Sequence, residues 1–338
     1  MTVNASVSPH VRSRVSTSTI MRDVAIALAP SLLFGVFVFG LRAAVIILLS
    51  VASCLLTEFV YQKLMKKPVT VSDGSALVTG LILAVNLPAS AAWWIPVLGG
   101  VFAILFVKQL FGGLGQNIMN PALGARCFLI ISFPAMMGSS LPKVGNLLGA
   151  DWLSGFGQRM TTWNLDGVAE STPLAILKDG GQIDLWKGLL GVHSGMIGET
   201  CAIGILIGAV YMLARGVISW RIPGMYLLST AAFIFVFNLL SGNGVPTGNY
   251  MIGQMISGGL LTGAVFMATD YVTSPITAIG QIYYGILLGF LTALFRVFGS
   301  SAEGVSYAII IGNTLVPLIE RISMPRAFGV SRKGGAGK

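Results

Sequence analysis

A threonine followed by a proline, in a polar stretch of this chain, is a candidate acceptor for a phosphate ester. Pro173 restricts Thr172 to an extended conformation and suits the first position of a helix. Thr172 is therefore predicted to cap a short helix, residues 173–178. The free amides and the dipole of a helix N-terminus favour a phosphate. The same residues are also typical of an ordinary exposed turn with a helix cap, so both interpretations stay open on this pattern alone.

Charged residues inside or beside apolar stretches are the second set of candidate functional residues. Charge at membrane depth is costly, so such residues are usually functional or paired. Glu58 and Glu199 are the better candidates for a buried cation or proton path, and Asp270 is a third. Pairing within the helix bundle explains them equally well. Lys108, Asp270 and Glu320 lie near the ends of apolar stretches, where side chains are expected to snorkel to the interface.

Other familiar catalytic or metal-binding patterns are not found in the sequence. Cys54, Cys127 and Cys201 lie in separate apolar stretches without a C-x-x-C spacing, which favours small buried residues over metal ligands. His10 and His193 are predicted on opposite membrane faces, so they are not expected to share a metal ion. No nucleophile triad or phosphate-binding glycine loop is recognised, and no catalytic residue is assigned.

The composition indicates that these residues belong to an integral membrane protein. Of 338 residues, 54% are hydrophobic and 10% are charged, whereas a soluble domain carries roughly a quarter charged residues. The mean hydropathy is +0.83. The net charge of +9 is interpreted as the excess of lysine and arginine that orients membrane helices. Nucleic acid is not an expected partner, because the basic residues form no basic face.

Apolar runs of about twenty residues predict an all-α polytopic fold with ten transmembrane helices. The predicted spans are residues 24–41, 43–64, 74–87, 93–111, 121–137, 195–214, 223–240, 250–269, 275–298 and 305–319. The corresponding regions are an N-terminal segment 1–23, a five-helix half 24–137, a polar loop 138–194, a second half 195–320 and a basic tail 321–338.

The distribution of charge and a short internal sequence similarity predict how the spans are arranged. Most of the 21 lysines and arginines fall on one side if both termini are cytoplasmic, which places the 138–194 loop outside. Residues 75–80 and 258–263 are similar, and each lies in the third span of its half. Because those spans run in opposite directions, the similarity predicts an inverted repeat. Short or interrupted helices at matching positions favour a binding site between the halves.

Six motifs, in order along nearly the whole chain, resemble one known family. They are Ser8-Pro9-His10 with Ile20-Met21, the 73–80 segment with Asn86-Leu87-Pro88, the glycine-rich 112–122 segment, Asp166 to Pro173, the 219–223 segment, and the 269–275 segment. In these residues the chain resembles the D subunit of the Rnf electron-transport complex. That family is related to the B subunit of the sodium-pumping NADH:quinone reductase.

The resemblance implies a flavoprotein in the plasma membrane of a bacterium or archaeon. It implies FMN joined through its phosphate to Thr172, in a motif whose Asp166 is recognised by the maturing flavin transferase. Ala169, Glu170 and Ser171 depart from the Ser/Thr-Gly-Ala of the family motif. The resemblance further implies a noncovalent riboflavin in the membrane part, a fold similar to urea transporters, and the partner subunits A, B, C, E and G.

Three classes of function follow. The leading one is a membrane redox subunit of a ferredoxin:NAD⁺ oxidoreductase, which relays electrons across the membrane coupled to Na⁺ or H⁺ transport. The second is a solute transporter or channel without redox activity, favoured by the interrupted spans and the predicted repeat. The third is a scaffold that only anchors partner subunits.

Overall fold

The computed structural model describes residues 16–138, 141–142, 152–161, 167–168, 171–242, 244–299 and 304–325. The first half comprises α1 (Thr17–Phe39), α2 (Leu41–Leu64), α3 (Ser75–Val85), α4 (Trp94–Phe102, continued by a π-helix Ala103–Gln109) and α5 (Pro121–Ser132). Short 3-10 turns cover Val71–Asp73 and Pro134–Met137.

In the described part of the connection between the halves, there are three short helices and a two-stranded antiparallel sheet. These are α6 (Trp152–Thr161), α7 (Pro173–Lys178) and α8 (Leu185–Leu190), with β1 (Leu141–Pro142) antiparallel to β2 (Gly167–Val168). The second half comprises α9 (Ala202–Ala214), α10 (Arg221–Leu240), α11 (Gly248–Ile256), α12 (Leu260–Thr262, continued by a π-helix Gly263–Met267), α13 (Ala278–Phe298) and α14 (Val305–Ser323).

The helices confirm the prediction of an all-α polytopic membrane protein. Within the described residues, α1, α2, α10, α13 and α14 are long and apolar enough to cross a bilayer. The α11 and α12 segments pass the same test together but are bent by 53° at their junction. Four shorter apolar helices, α3, α4 with its π-helix, α5 and α9, occupy the remaining predicted spans.

In two of the predicted spans, the observed α-helix is shorter than the apolar run that predicted it. The predicted span 195–214 becomes helical only at Ala202. Before that, the chain is held by backbone bonds from Ile197 N to Leu87 O at 3.0 Å and from Gly198 N to Val85 O at 3.1 Å. The predicted span 121–137 ends as an α-helix at Ser132, because Pro134 cannot continue the α-helical hydrogen bonding. Long-range pairing and proline, rather than hydropathy, set these bounds.

The first helices of the two halves pack antiparallel, as an inverted repeat requires. At the N-terminal end of α1, Asp23 pairs with Arg215, with Oδ2 to Nη2 at 3.1 Å. Toward its C-terminal end, Gly35 lies directly against the Ile197 carbonyl. The chain direction of α9 is therefore opposite to that of α1. Since α1 is a continuous helix of 23 residues, its two ends mark the two faces of the bundle.

One helix crossing recurs in both halves. Ser53 on α2 donates to the carbonyl of Pro96 at 3.3 Å and packs against Gly100 of α4. Ser229 on α10 donates to the carbonyl of Gly285 at 3.0 Å and packs against Gly289 of α13. In each case a serine of the second helix meets a glycine of the fourth helix and binds the carbonyl four residues before it. This shared geometry supports the internal repeat.

The close packing at this crossing predicts that one added methyl group at Gly289 lowers the stability of the protein. Gly289→Ala places a Cβ atom on the Ser229 hydroxyl and 2.7 Å from the Thr230 amide nitrogen. Overpacking of this kind costs about 1–3 kcal/mol, so we expect a lower midpoint in thermal unfolding of the purified protein. Gly248→Ala is the matched control, because no atom lies within 4 Å of its added Cβ. Equal midpoints for the two variants would contradict the proposed packing.

Candidate functional site

Thr172 lies where the sequence predicts it, at the start of a six-residue helix. Its Oγ1 accepts a hydrogen bond from the amide of Ala175 at 3.4 Å, which makes it the N-cap of α7. The side chain is partly exposed, and Ser171 before it is exposed. Asp166 lies outside the described residues. The predicted cap and helix are thus confirmed.

Thr172 borders a small cavity that we call the Thr172 cavity. Its enclosed volume is about 10 Å³, room for about one water molecule. It is lined by Thr172, Leu174, His193, Glu199, Thr200 and Gly258, among others. His193 Nδ1 lies 3.0 Å from the carbonyl of Ser194. Burial lowers the pKa of His193 below its ordinary value, against the opposing effect of its hydrogen bonds to backbone carbonyls. The imidazole is therefore neutral at pH 7.

Glu199 connects this cavity to a buried ion pair at the centre of the bundle. Its Oε1 lies 2.7 Å from Nη1 of Arg126 on α5, and both side chains are almost completely buried. The same Nη1 donates to Asn86 Oδ1 at 2.6 Å, at the C-terminal end of α3. A Cβ on Gly259 would lie 2.5 Å from the Glu199 carboxylate, so only glycine allows this approach at the break before α12.

Glu58 forms a second buried ion pair, near the opposite face. Lys108 Nζ lies 2.8 Å from Glu58 Oε2 and donates to Ser75 Oγ at 2.6 Å. Ser75 in turn donates to Asp73 Oδ1 at 2.5 Å. The expectation that Lys108 snorkels to the interface is wrong, since it is 2% exposed. Glu58 supplies a partner across the helix crossing that makes burial of the ammonium tolerable.

Arg296 of α13 is the counterpart of Lys108 in the second half. It is buried and caps the break between α11 and α12, donating through Nη2 to Ser257 O at 2.9 Å and Gly258 O at 3.2 Å. Each half therefore uses a cation from its fourth span to hold its third: Lys108 binds Ser75 at the start of α3, and Arg296 binds the break before α12. The sequence analysis missed this role, and the signal for it was a basic residue in the last turn of an apolar span.

A larger cavity, which we call the Asn117 cavity, lies at the face where α1 begins. Its enclosed volume is about 90 Å³, and it draws its lining from both halves. Its polar residues include Thr79, Lys108, Asn117, Asn120, Thr269 and Asp270, and its apolar residues include Ile20, Val78, Ile82 and Phe266. Apolar walls with a few converging polar groups are typical of pockets for organic cofactors.

Asp270 lies in this cavity, in the loop after the π-helix Gly263–Met267. Burial raises the pKa of its carboxyl above the ordinary value, although hydrogen bonds from Thr273 and from the amide of Val272 oppose the shift. The carboxyl therefore retains a proton at higher pH than an exposed aspartate would.

The structure thus groups the predicted site residues into two places. Thr172 and Glu199 share one cavity, whereas Asp270 shares the other with Lys108, the partner of Glu58. Met21 of α1 lines the Asn117 cavity, whereas Gly35 contacts Ile197 beside the Thr172 cavity. With a rise of 1.5 Å per residue, the two positions are about 20 Å apart along α1. Pairing of Glu58 and Glu199 within the bundle, one of the two interpretations from sequence, is confirmed, and an ion path stays a prediction.

The fold and these sites define a class of protein: an all-helical, polytopic membrane protein in which the Thr172 cavity and the Asn117 cavity lie about 20 Å apart along α1. Comparison with known proteins specifies the class further. A model of the NQR2, RnfD, RnfE family matches residues 4–329. The chain therefore belongs to this family, which confirms the resemblance found in the sequence motifs.

Relatives in this family match along nearly their full lengths. The chain is 45% identical over 340 residues to the D subunit of the Na⁺-translocating ferredoxin:NAD⁺ oxidoreductase complex of Acetobacterium woodii, covering 98% of the chain and 97% of that protein. It is 37% identical to the D subunit of the proton-translocating ferredoxin:NAD⁺ oxidoreductase complex of Clostridium ljungdahlii, covering 97% and 96%. It is 38% identical to the D subunit of the ion-translocating oxidoreductase complex of Stutzerimonas stutzeri, covering 95% and 94%.

Proposed function

We propose that this chain is the D subunit of an ion-translocating ferredoxin:NAD⁺ oxidoreductase, in which it relays electrons across the membrane. Full-length similarity to D subunits of complexes that translocate Na⁺ or H⁺ carries this proposal. The proposed partners are subunits A, B, C, E and G of the same complex, and a flavin transferase that matures the chain. Either coupling ion is compatible with these relatives.

We propose that FMN is attached to Thr172 through its phosphate. The observation that supports this is the position of the threonine, a half-buried residue that caps α7 at the rim of the Thr172 cavity. A bound flavin supplies the electron-transfer chemistry, and the residues of this chain fix where it is held. The test is mass spectrometry of the loop peptide. A mass gain equal to FMN on Thr172 is expected, and an unmodified peptide from the mature complex would refute the attachment.

We propose the Asn117 cavity as the site of the noncovalent riboflavin. With an enclosed volume of about 90 Å³, it is larger than the Thr172 cavity, and it combines apolar walls with a few polar groups. Asn117 and Asn120 offer amide donors and acceptors suited to a polar ring edge. The apolar lining from α1, α3 and the π-helix after α12 offers faces against which a ring system packs.

Filling this cavity tests the assignment and separates the two flavins. Val78 is buried and lines the Asn117 cavity, so Val78→Phe is expected to remove most of the riboflavin that denaturation releases. Covalent flavin on Thr172 should be unchanged. Val60→Phe, at a 48% exposed position on α2, is the control. Wild-type amounts of released riboflavin in both variants would place the second flavin elsewhere.

We propose that both termini are cytoplasmic and that Thr172 lies on the outer side. Several contacts support a common face for the two ends: Asp23 bonds Arg215, Tyr271 bonds the Val217 carbonyl, and the Ile276 amide bonds Glu320. Basic residues are frequent near that face, including Lys63, Lys66, Lys67, Arg215, Arg221 and Arg321. Such an excess is characteristic of the cytoplasmic side.

A transporter without redox activity is the second candidate function. The 53° bend between α11 and α12 favours it, because interrupted helices line solute sites in inverted-repeat transporters. However, the carbonyls of Ser257 and Gly258 at this break already bind Arg296. Purified protein without any flavin, together with solute flux in liposomes, would favour the transporter.

A further inference from the structure

The α7–α8 segment, residues 173–190, depends on the membrane helices for its order. Each of its two helices has six residues, and isolated helices shorter than about 12–15 residues are marginal in water. Leu174 and Leu177 of α7 are only 2% exposed, so they pack against other parts of the chain. Lys178, at the end of α7, donates to the carbonyl of Gly299, the C-cap of α13. The segment is therefore docked on the second half.

The apolar contacts of the segment are made with α11 and with the bend that follows it. A Cβ atom on Gly253 of α11 would lie 2.7 Å from Ile183 Cδ1 and 2.8 Å from Leu177 Cδ1. At the bend, a Cβ atom on Gly258 would lie 2.8 Å from Leu174 Cδ2. The two glycines leave open the space that these side chains fill. The segment therefore lies directly against the backbone of the bent span.

Asn249, in the first turn of α11, binds the chain between α7 and α8. Its Nδ2 donates to the carbonyl of Ile183 at 2.9 Å, and its Oδ1 accepts from the amide of the same residue at 3.3 Å. One side-chain amide thus binds both backbone groups of Ile183, as a neighbouring strand does in an antiparallel sheet. Ile183 directly precedes Asp184, the N-cap of α8. The two hydrogen bonds therefore fix the path of the chain from one short helix to the next.

We propose that Asn249 and Gly253 are positioning residues for the flavin on Thr172. This inference rests on the FMN attachment proposed above. Thr172 is the N-cap of α7, so a flavin on its hydroxyl is carried by the helix that docks on α11. Docking holds the redox group in one place relative to the membrane helices. Without docking the phosphoester stays intact, but electron transfer slows, because its rate depends on the relative placement of the reacting groups.

Two variants disrupt the docking and leave Thr172 unchanged. Asn249→Leu has a similar volume and removes both hydrogen bonds to the chain before α8. Gly253→Leu fills the space that apolar side chains of the segment occupy. Gly248→Leu is the matched control on the same helix, because no atom lies within 4 Å of a Cβ there. Asn249→Gln keeps the donor and the acceptor on a longer side chain and should restore part of the docking.

Docking and electron transfer are measured separately in the mature complex. Trypsin cleavage after Lys178 and Lys187 should be about tenfold faster in both disrupting variants, the worth of one or two hydrogen bonds. Covalent flavin, measured by in-gel fluorescence, should equal that of wild type. The kcat for ferredoxin-dependent NAD⁺ reduction should fall about tenfold, with an intermediate value in Asn249→Gln. The kcat/KM for ferredoxin should stay at the wild-type value, because the slowed transfer follows the encounter with ferredoxin.

The outcomes separate this inference from the attachment itself. A wild-type chain without covalent flavin refutes the attachment proposal. If wild type carries the flavin, a kcat or a cleavage rate in both disrupting variants equal to that of Gly248→Leu overturns the inference. Equal falls in kcat and kcat/KM also overturn it, because they indicate a loss of intact complex. Loss of the covalent flavin from the variants overturns it too, since the docking would then serve attachment. If Asn249→Leu does not assemble, Gly253→Leu and the milder Asn249→Gln decide.

Discussion

Replacing Thr172 with alanine is expected to abolish covalent flavin on this chain. Alanine has no oxygen to form the phosphoester, so the fluorescent band on a denaturing gel should disappear. Ferredoxin-dependent reduction of NAD⁺ by the assembled complex should fall to background, because a carrier in the relay is missing. A fluorescent band that survives Thr172→Ala would refute the assignment of this residue.

Two further variants control for local structure. Thr172→Ser keeps a hydroxyl and should retain the flavin. Ser171→Ala changes the exposed neighbour and should also retain it. Loss of the N-cap bond to Ala175 costs only about 1 kcal/mol, on a six-residue helix. Thermal unfolding and riboflavin content of Thr172→Ala should therefore stay near wild type, which separates lost chemistry from lost folding.

Breaking the central ion pair is expected to have the largest effect on stability. Arg126→Met leaves the Glu199 carboxylate in a site that is 6% exposed, without the guanidinium 2.7 Å away. Removing one partner of a buried pair costs about 3–5 kcal/mol. We therefore expect a markedly lower unfolding midpoint and a low yield of monodisperse protein. Glu199→Gln should be similarly destabilising, because the guanidinium then remains buried beside a neutral amide.

A double-mutant cycle distinguishes pairing from simple loss of contacts. Combining Arg126→Met with Glu199→Gln removes both charges, and replacing a buried pair as a whole is often nearly neutral. The double variant should thus be more stable than either single variant. The coupling energy from the cycle should be well above the few tenths of a kcal/mol expected for independent sites. Additive losses in the double variant would show that the two charges do not stabilise each other.

The Arg126–Glu199 ion pair also lies close to residues that line the two cavities. Glu199 lines the Thr172 cavity, and Arg126 joins it to Asn86 at 2.6 Å. Asn120, at the start of the same helix as Arg126, lines the Asn117 cavity. Arg126 therefore joins the wall of one cavity to the C-terminal end of α3, six residues along α5 from a residue that lines the other cavity.

The sequence by itself determined features that depend on local chemistry. Ten apolar stretches, the short third helix and the excess of basic residues near one face follow from hydropathy and charge. The α7 helix with Thr172 as its cap was predictable, because Thr-Pro restricts the backbone within two residues. The family motifs were likewise visible as short strings of residues.

Only the tertiary structure decided which charges meet. Lys108 was expected at the interface, but the crossing of α2 and α4 places Glu58 beside it. The helical start of α9 at Ala202 depends on backbone bonds to Leu87 and Val85. These contacts join residues that are far apart in sequence, so no local pattern encodes them. The role of Thr172 as a helix cap could be predicted from Thr172 and Pro173 alone. The cavity beside it could not, because it forms only when the fold brings Thr200 and Gly258 together.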